Sequence, residues 1–221
     1  WENRNDAAGW DEPFYAYYLR ATALDHPGAG EVIANGEPDW LKVVDKVTGP
    51  IPNGRTIFYQ KHMTHHLLPE IDRGWLARLT NCFLIRDPRE VIASYAKVRT
   101  NLTVSDVGVL QQAEIFEWVR SRTGQTPLVL DARDVLQDPR RMMTELCSAL
   151  DVPFTERMLA WPPGARESDG VWGKHWYASV WGSTGFSPYK PKPHPLPKHV
   201  EPLAEECAPY YRTLYECRLV A

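Results

Sequence analysis

The stretch that most constrains this chain runs from Asn81 to Arg99, Asn-Cys-Phe-Leu-Ile-Arg-Asp-Pro-Arg-Glu-Val-Ile-Ala-Ser-Tyr-Ala-Lys-Val-Arg. Cys82 to Ile85 is an unbroken apolar run bounded by polar residues. It is too short for a helix and reads as a strand buried on both faces, as in a parallel sheet. Asp87 then stands where a side chain caps a helix, and Pro88 fits the first helical position because it has no N–H to lose. Glu90 sits where a capping box closes. The reading is strand, tight turn, helix.

Arg86 is therefore expected at the carboxyl end of a strand, with Ser94 two turns into the following helix. Ligands of open α/β sheets bind in crevices at that edge. A guanidinium near a helix N-terminus, with a hydroxyl beside it, suits a phosphate, because the fork of N–H groups and the helix dipole both favour an anion. The competing reading is an arginine that pairs with a neighbouring carboxylate, and Asp87 is adjacent. The residues alone leave both open.

Length, charge and cysteine usage narrow the class. At 221 residues the chain is within reach of one large domain with a substantial core. A net charge of −3 argues against a nucleic-acid partner, which would call for a basic stripe. Cys82, Cys147, Cys207 and Cys217 are widely spaced with no CxxC pair. They read as free thiols in a reducing, cytoplasmic setting, with a Cys207–Cys217 disulfide as the lesser alternative. No apolar run is long enough to span a bilayer and no signal peptide is visible, so no membrane partner is expected.

Along the chain, Trp1 to Asp6 reads as the end of a helix and Ala7 to Phe14 as a short strand ended by Pro13. Asp11 and Glu12 fall at its exit, where a solvated turn is the ordinary outcome. Phe14 to Leu24 is helical, with Tyr15, Tyr18 and Leu19 on a core stripe. Glu31 to Val47 is helical but interrupted by Gly36 and Pro38. Thr56 to Gln60 reads as a strand. It leads into Lys61, His62, Met63, Thr64, His65 and His66. His62 and His66 have the i, i+4 spacing of helical zinc ligands, but no HExxH pattern is completed, and metal is the minority reading. The better one is an imidazole base that takes a proton from a hydroxyl, with Lys61 steadying developing charge.

Pro69 to Leu79 is expected to be a helix. So is Thr103 to Arg122, with Ser105 as its cap and Gly124 as its stop. Leu128 to Leu130 is the next buried strand, and Asp131 and Asp134 orient the connection to a helix that starts at Asp138-Pro139. Trp161 to Pro197 is rich in Trp, Gly, Pro and Tyr and reads either as a lid or as a packed aromatic satellite core. Pro188 to Lys198 reads as a stiff connector. A last helix covers Val200 to Leu219, with Pro209 expected to kink it.

Three stretches in order carry a resemblance. Arg86 followed by Ser94 within Arg-Asp-Pro-Arg-Glu-Val-Ile-Ala-Ser resembles the segment by which sulfotransferases hold the 3′-phosphate of the sulfonate donor PAPS. Tyr-Gln-Lys-His-Met-Thr-His-His-Leu-Leu-Pro, from Tyr59, is similar to the family's histidine loop. Leu-Asp-Ala-Arg-Asp-Val-Leu-Gln-Asp-Pro, from Leu130, resembles its strand-then-helix segment of the form Tyr-Glu-Asp-Leu-x-x-Asp-Pro.

The resemblance implies a single sulfotransferase-like domain over residues 1–221, an α/β fold with a three-layer, P-loop-NTPase-like parallel sheet flanked by helices, and metal-free transfer of a sulfonate from PAPS to a small-molecule hydroxyl acceptor. It places His62 at the family's catalytic histidine, with His65 and Glu12 as alternative bases and Lys61 beside them. By position it offers Lys174, Trp176, Ser183, Thr184 and Gly185 as donor-binding residues. The family's phosphosulfate loop would lie upstream of Trp1, and nothing in the chain matches it. Two rivals stand: a P-loop small-molecule kinase, with Asp131 as its metal ligand, and a non-catalytic nucleotide-binding relative of the fold.

Overall fold

A computed structural model describes residues 1–97, 101–191 and 196–220. Arg99 and part of the Pro188–Lys198 connector lie outside the described residues. In chain order the elements are β1 (Ala7–Asp11), α1 (Tyr15–Thr22), α2 (Ala29–Asn35), α3 (Trp40–Val47), β2 (Ile57–Lys61), β3 (Cys82–Ile85), α4 (Pro88–Tyr95) and α5 (Val104–Val107). They continue with α6 (Val109–Thr123), β4 (Leu128–Asp131), α7 (Ala132–Gln137), α8 (Pro139–Ala149), α9 (Gly173–Trp176), α10 (Ala178–Trp181) and α11 (Glu201–Glu216). Where the sequence suggests a helix end at Trp1 to Asp6 there are only turns. The chain forms two compact units: residues 1–78 with 155–186, and residues 79–154 with 187–221. The fold is α/β, with small parallel sheets and helices.

In the first unit β1 and β2 pair in parallel, from Ala7 beside Ile57 to Asp11 beside Lys61. The β-branched and aromatic residues of β2 suit a pleated surface. On α1, Tyr15, Ala16 and Leu19 bury themselves against Val32 of α2 and Trp172 of the later segment. Asp39 caps α3 by accepting from the Leu41 N–H, and the helix buries Val43 and Val47. The expected helix over Pro69 to Leu79 does not form. Only Gly74–Arg78 makes a 3-10 turn, and burial of Ile71, Trp75 and Leu76 anchors the rest as loop.

In the second unit β3 and β4 pair in parallel, from Cys82 beside Leu128 to Ile85 beside Asp131. The single parallel sheet expected from sequence is thus two separate two-stranded sheets among the described residues. β3 is not buried on both faces. Phe83 and Ile85 point inward, whereas Cys82 is exposed and Leu84 is 61% exposed. Alternate side chains of a strand point to opposite faces, and helices cover only one.

Asp87 caps α4 through the Arg89 N–H, with Pro88 in the first turn. The capping box does not close, because the Glu90 carboxylate is engaged elsewhere. The helix expected from Thr103 breaks into α5 and α6 at Gly108, whose φ of 79° a Cβ would disfavour. Thr103 rather than Ser105 caps α5, in a full capping box with Asp106. Gly124 ends α6. Ile92 of α4 packs with Leu196, Val200 and Ala204, and each such fully buried aliphatic contributes about 1.5–3 kcal/mol. Helix α11 runs through Pro209. All four cysteines are free, so the Cys207–Cys217 alternative is set aside.

Candidate active site

The parallel register places Asp11 beside Lys61 at the carboxyl ends of β1 and β2. One residue further, the Glu12 N–H donates to the Lys61 carbonyl at 2.8 Å, and the chain turns with Glu12 at φ 45°. Non-glycine residues rarely hold that conformation. The turn folds the Glu12 carboxylate onto the Lys61 ammonium, which donates to it. Lys61 Nζ also lies 3.1 Å from Asp11 Oδ1 and donates to the Tyr177 hydroxyl at 2.9 Å. That hydroxyl donates to Asp11 Oδ2 and stands 3.3 Å from Glu12 Oε1.

Asp11 and Glu12 are therefore not a solvated turn. Asp11 is buried, and the Glu12 side chain is 11% exposed. One ammonium serves two carboxylates, and the electrostatics follow. Burial pushes the Glu12 carboxyl up despite the opposing pull of Lys61, and the Asp11 charge adds to the rise. Burial by itself would lower the Lys61 ammonium, but the facing Glu12 and Asp11 charges outweigh it and hold it above its ordinary value. The Tyr177 hydroxyl is pushed up by burial and by Glu12, so it stays protonated and can act as a donor.

The histidines pack among aromatic rings. His62 is not on a helix with His66, since only Thr64–His66 forms a 3-10 turn, so the i, i+4 zinc pair is lost. The His62 ring packs between Phe14 and Trp75, with centroids at 5.7 Å and 5.6 Å. Its Nε2 meets Gln60 Oε1 at 3.2 Å, and its buried Nδ1 has no hydrogen-bond partner among the described residues. Burial, aided by Lys61, lowers it to about 4. His66 is stacked on Tyr15 at 4.8 Å and Tyr18 at 4.6 Å, and burial holds it far below its ordinary value. His65 lies edge-on to His66 and Tyr18.

In the second unit, Arg86 follows β3 and is exposed, as is Ser94. The guanidinium does not pair with Asp87. Its Nε and Nη2 donate to Glu90 Oε2 at 2.8 and 2.7 Å, while Tyr189 donates to Oε1 of the same buried carboxylate at 2.9 Å. Glu90 and Ser94 are one turn apart on one helix face. Arg86 is thus fixed from behind by Glu90, and its Nη1 has no bonded partner among the described residues. Asp131 is a structural residue: it is 1% exposed, caps α7 through the Arg133 N–H and accepts from Tyr211 at 2.6 Å.

The remaining candidates fall in the first unit. Lys174 pairs with Glu31. Trp176 stands edge-on to His26. The Ser183 hydroxyl accepts from the Trp161 indole and donates to the Val180 carbonyl. Thr184 offers its carbonyl to the Trp161 N–H, and Gly185 bridges to Ala160. Trp172 joins the buried cluster of α1 and α2, while most of residues 161–186 are half-buried or exposed.

Sequence reasoning missed Tyr177 altogether. It lies 116 positions from Lys61, and no local pattern links them. Asp11 was discoverable only through the pairing of β1 with β2, which sets the two strand ends side by side.

The sequence model of the sulfotransferase domain matches residues 1–217. The chain belongs to the sulfotransferase domain family. Two Arabidopsis thaliana proteins, branched-chain-amino-acid aminotransferase-like proteins 1 and 2, are 34% and 30% identical to this domain over 212 residues, or 96% of it. The domain spans only 38% and 37% of their lengths. Among solved structures, a sulfotransferase domain from the curacin biosynthetic pathway is 14% identical, covers 88% of this chain and 78% of its own, and has a TM-score of 0.41. A sulfotransferase domain from the Synechococcus PCC 7002 olefin synthase is 17% identical, covers 94% and 98%, and has a TM-score of 0.45.

Proposed function

We propose that this chain is one sulfotransferase-like domain of the three-layer, P-loop-like kind that moves a sulfonate group from PAPS to the hydroxyl of a small molecule, with Glu12 as the proton acceptor. The observation that carries the reading is the meeting of Asp11, Glu12, Lys61 and Tyr177 at the carboxyl ends of two parallel strands, where α/β proteins bind ligands, in a chain that belongs to the sulfotransferase domain family. PAPS, when bound, supplies the sulfonate: an oxygen–sulfur bond to the acceptor forms as the sulfur–oxygen bond to the donor's phosphate breaks, and PAP departs with the electron pair. The acceptor's proton goes to Glu12.

Glu12 suits that role better than His62. A general base works best when its proton affinity approaches the operating pH, and burial moves Glu12 in that direction while it moves His62 away. Lys61 keeps the carboxylate charged until the proton arrives and opposes negative charge that develops nearby. Tyr177 and Asp11 fix the ammonium. His65 remains in this account as a neighbour of the ring stack rather than a base.

For the donor's 3′-phosphate, Arg86 and Ser94 are the residues of the second unit that fit. Both are exposed, and Glu90 orients the guanidinium while leaving Nη1 available. Lys174, Trp176, Ser183, Thr184 and Gly185 are not needed for the proposal. The kinase alternative gains no support from Asp131, whose carboxylate already serves a helix cap and a tyrosine.

Release of PAP with a hydroxyl acceptor, followed in the full-length protein, tests the assignment of the base. Glu12→Gln is expected to lower kcat by about 10²-fold or more, the usual scale for a positioned base, and His62→Gln by less than tenfold. A reversal of that order would move the base to His62.

A further inference from the structure

The first unit holds a cavity of about 560 Å³ whose wall includes Asp11 and Glu12. A cavity of that size takes a small organic molecule. Trp10 of β1 and Phe58 of β2 line it, together with Ala16, Val32 and Trp172 of the α1 cluster. The Trp10 and Phe58 rings are nearly parallel, 10° apart with centroids at 6.5 Å, and neither is fully buried. They offer a π surface to the cavity where a core would have sealed them.

Acidic residues outnumber basic ones in the wall. Besides Asp11 and Glu12, the acidic residues Glu37, Glu167 and Asp169 line the cavity, and Lys46 is the only basic residue of its lining among the described residues. Lys61 offsets one of the first two charges, and Lys46 lies 3.6 Å from Glu37. Asp169 accepts from the Trp181 indole N–H and the Arg166 backbone N–H, and Glu167 is exposed. The lining keeps a net negative charge, which excludes an anionic occupant and attracts a cationic one.

We infer that this cavity binds the acceptor and that the acceptor is a hydroxyl-bearing organic cation, an amino alcohol in chemical class. Its cation meets the Trp10 and Phe58 rings and the surrounding carboxylates, and its hydroxyl is presented to Glu12. The inference rests on the sulfotransferase reading for the word acceptor, but binding of the cation itself does not require the donor.

Calorimetry on the full-length protein without donor decides it, with choline and its neutral isostere 3,3-dimethylbutan-1-ol as probes. The two share shape and hydroxyl and differ in charge. Choline is expected to bind at least threefold, and about tenfold, more tightly, the scale of a partly desolvated cation–π contact. The preference is expected to collapse in Trp10→Leu and to shrink in Glu37→Gln. A preference below threefold in the unmodified protein, or no binding of either probe, overturns the inference whatever the variants do. PAP binding in the same samples separates the failures: intact PAP binding with no choline preference removes only the acceptor class, whereas a choline preference without PAP binding removes the donor.

Discussion

Glu12 and His62 are fifty positions apart in the chain, and burial moves their proton affinities in opposite directions. For His62 the consequence is a pH-dependent stability. The unfolded imidazole takes up a proton near 6.5, whereas the folded one resists until about 4. Below 6.5 the unfolded chain therefore binds a proton that the folded chain does not, and stability present at neutral pH is lost as pH falls from 6.5 through 4. His66, lowered for the same reason, acts in the same direction. The loss assigned to His62 is of order 3 kcal/mol. Thermal unfolding is expected to show a falling Tm across that window, and His62→Phe, which keeps the ring between Phe14 and Trp75, is expected to flatten it; an unchanged slope would contradict the burial. What sequence conveyed at this scale was residue type. Lys61 and Glu12 were legible as chemistry, but the opposite shifts of Glu12 and His62 were not, because burial depends on Phe14, Trp75 and Tyr177 from three separate stretches.

At the scale of elements, the sequence signals that survived were the local ones. Asp87 and Pro88 start α4, Asp138 and Pro139 start α8, and Gly124 stops α6, since each acts within one turn of chain. Those that failed depended on distant partners. Glu90 has the position for a capping box but is claimed by Arg86 and Tyr189. Cys82 to Ile85 has the composition of a doubly covered strand, yet only its Phe83 face is covered. Asp131 shows how an end residue ties elements together, since one carboxylate serves the start of α7 and the Tyr211 hydroxyl of α11. Asp131→Ala removes the cap and strands a hydroxyl, and is expected to cost about 2–4 kcal/mol in denaturant unfolding. A change below about 0.5 kcal/mol would show that the bond to α11 contributes little.

For the whole molecule, membership in the sulfotransferase domain family runs through both compact units, as the match over residues 1–217 does. The curated relatives are more than twice as long as the chain, so the activity of proteins built around such a domain is a matter for proposal. Among the described residues no helix is long and apolar enough to cross a membrane. The order of three short motifs along the chain made the family legible before any coordinates. The split into two sheets was not legible, because nothing in a strand's own sequence says where its sheet ends.

The donor is the claim from which the rest of the function follows, and calorimetry of PAP against AMP on the full-length protein addresses it directly. The two nucleotides differ in the 3′-phosphate that Arg86 and Ser94 are proposed to hold. A charge-assisted hydrogen bond of about 1.5–3 kcal/mol corresponds to a preference for PAP of about tenfold to a hundredfold, abolished by Arg86→Ala. Equal affinity for PAP and AMP, or a preference that survives Arg86→Ala, would contradict the account.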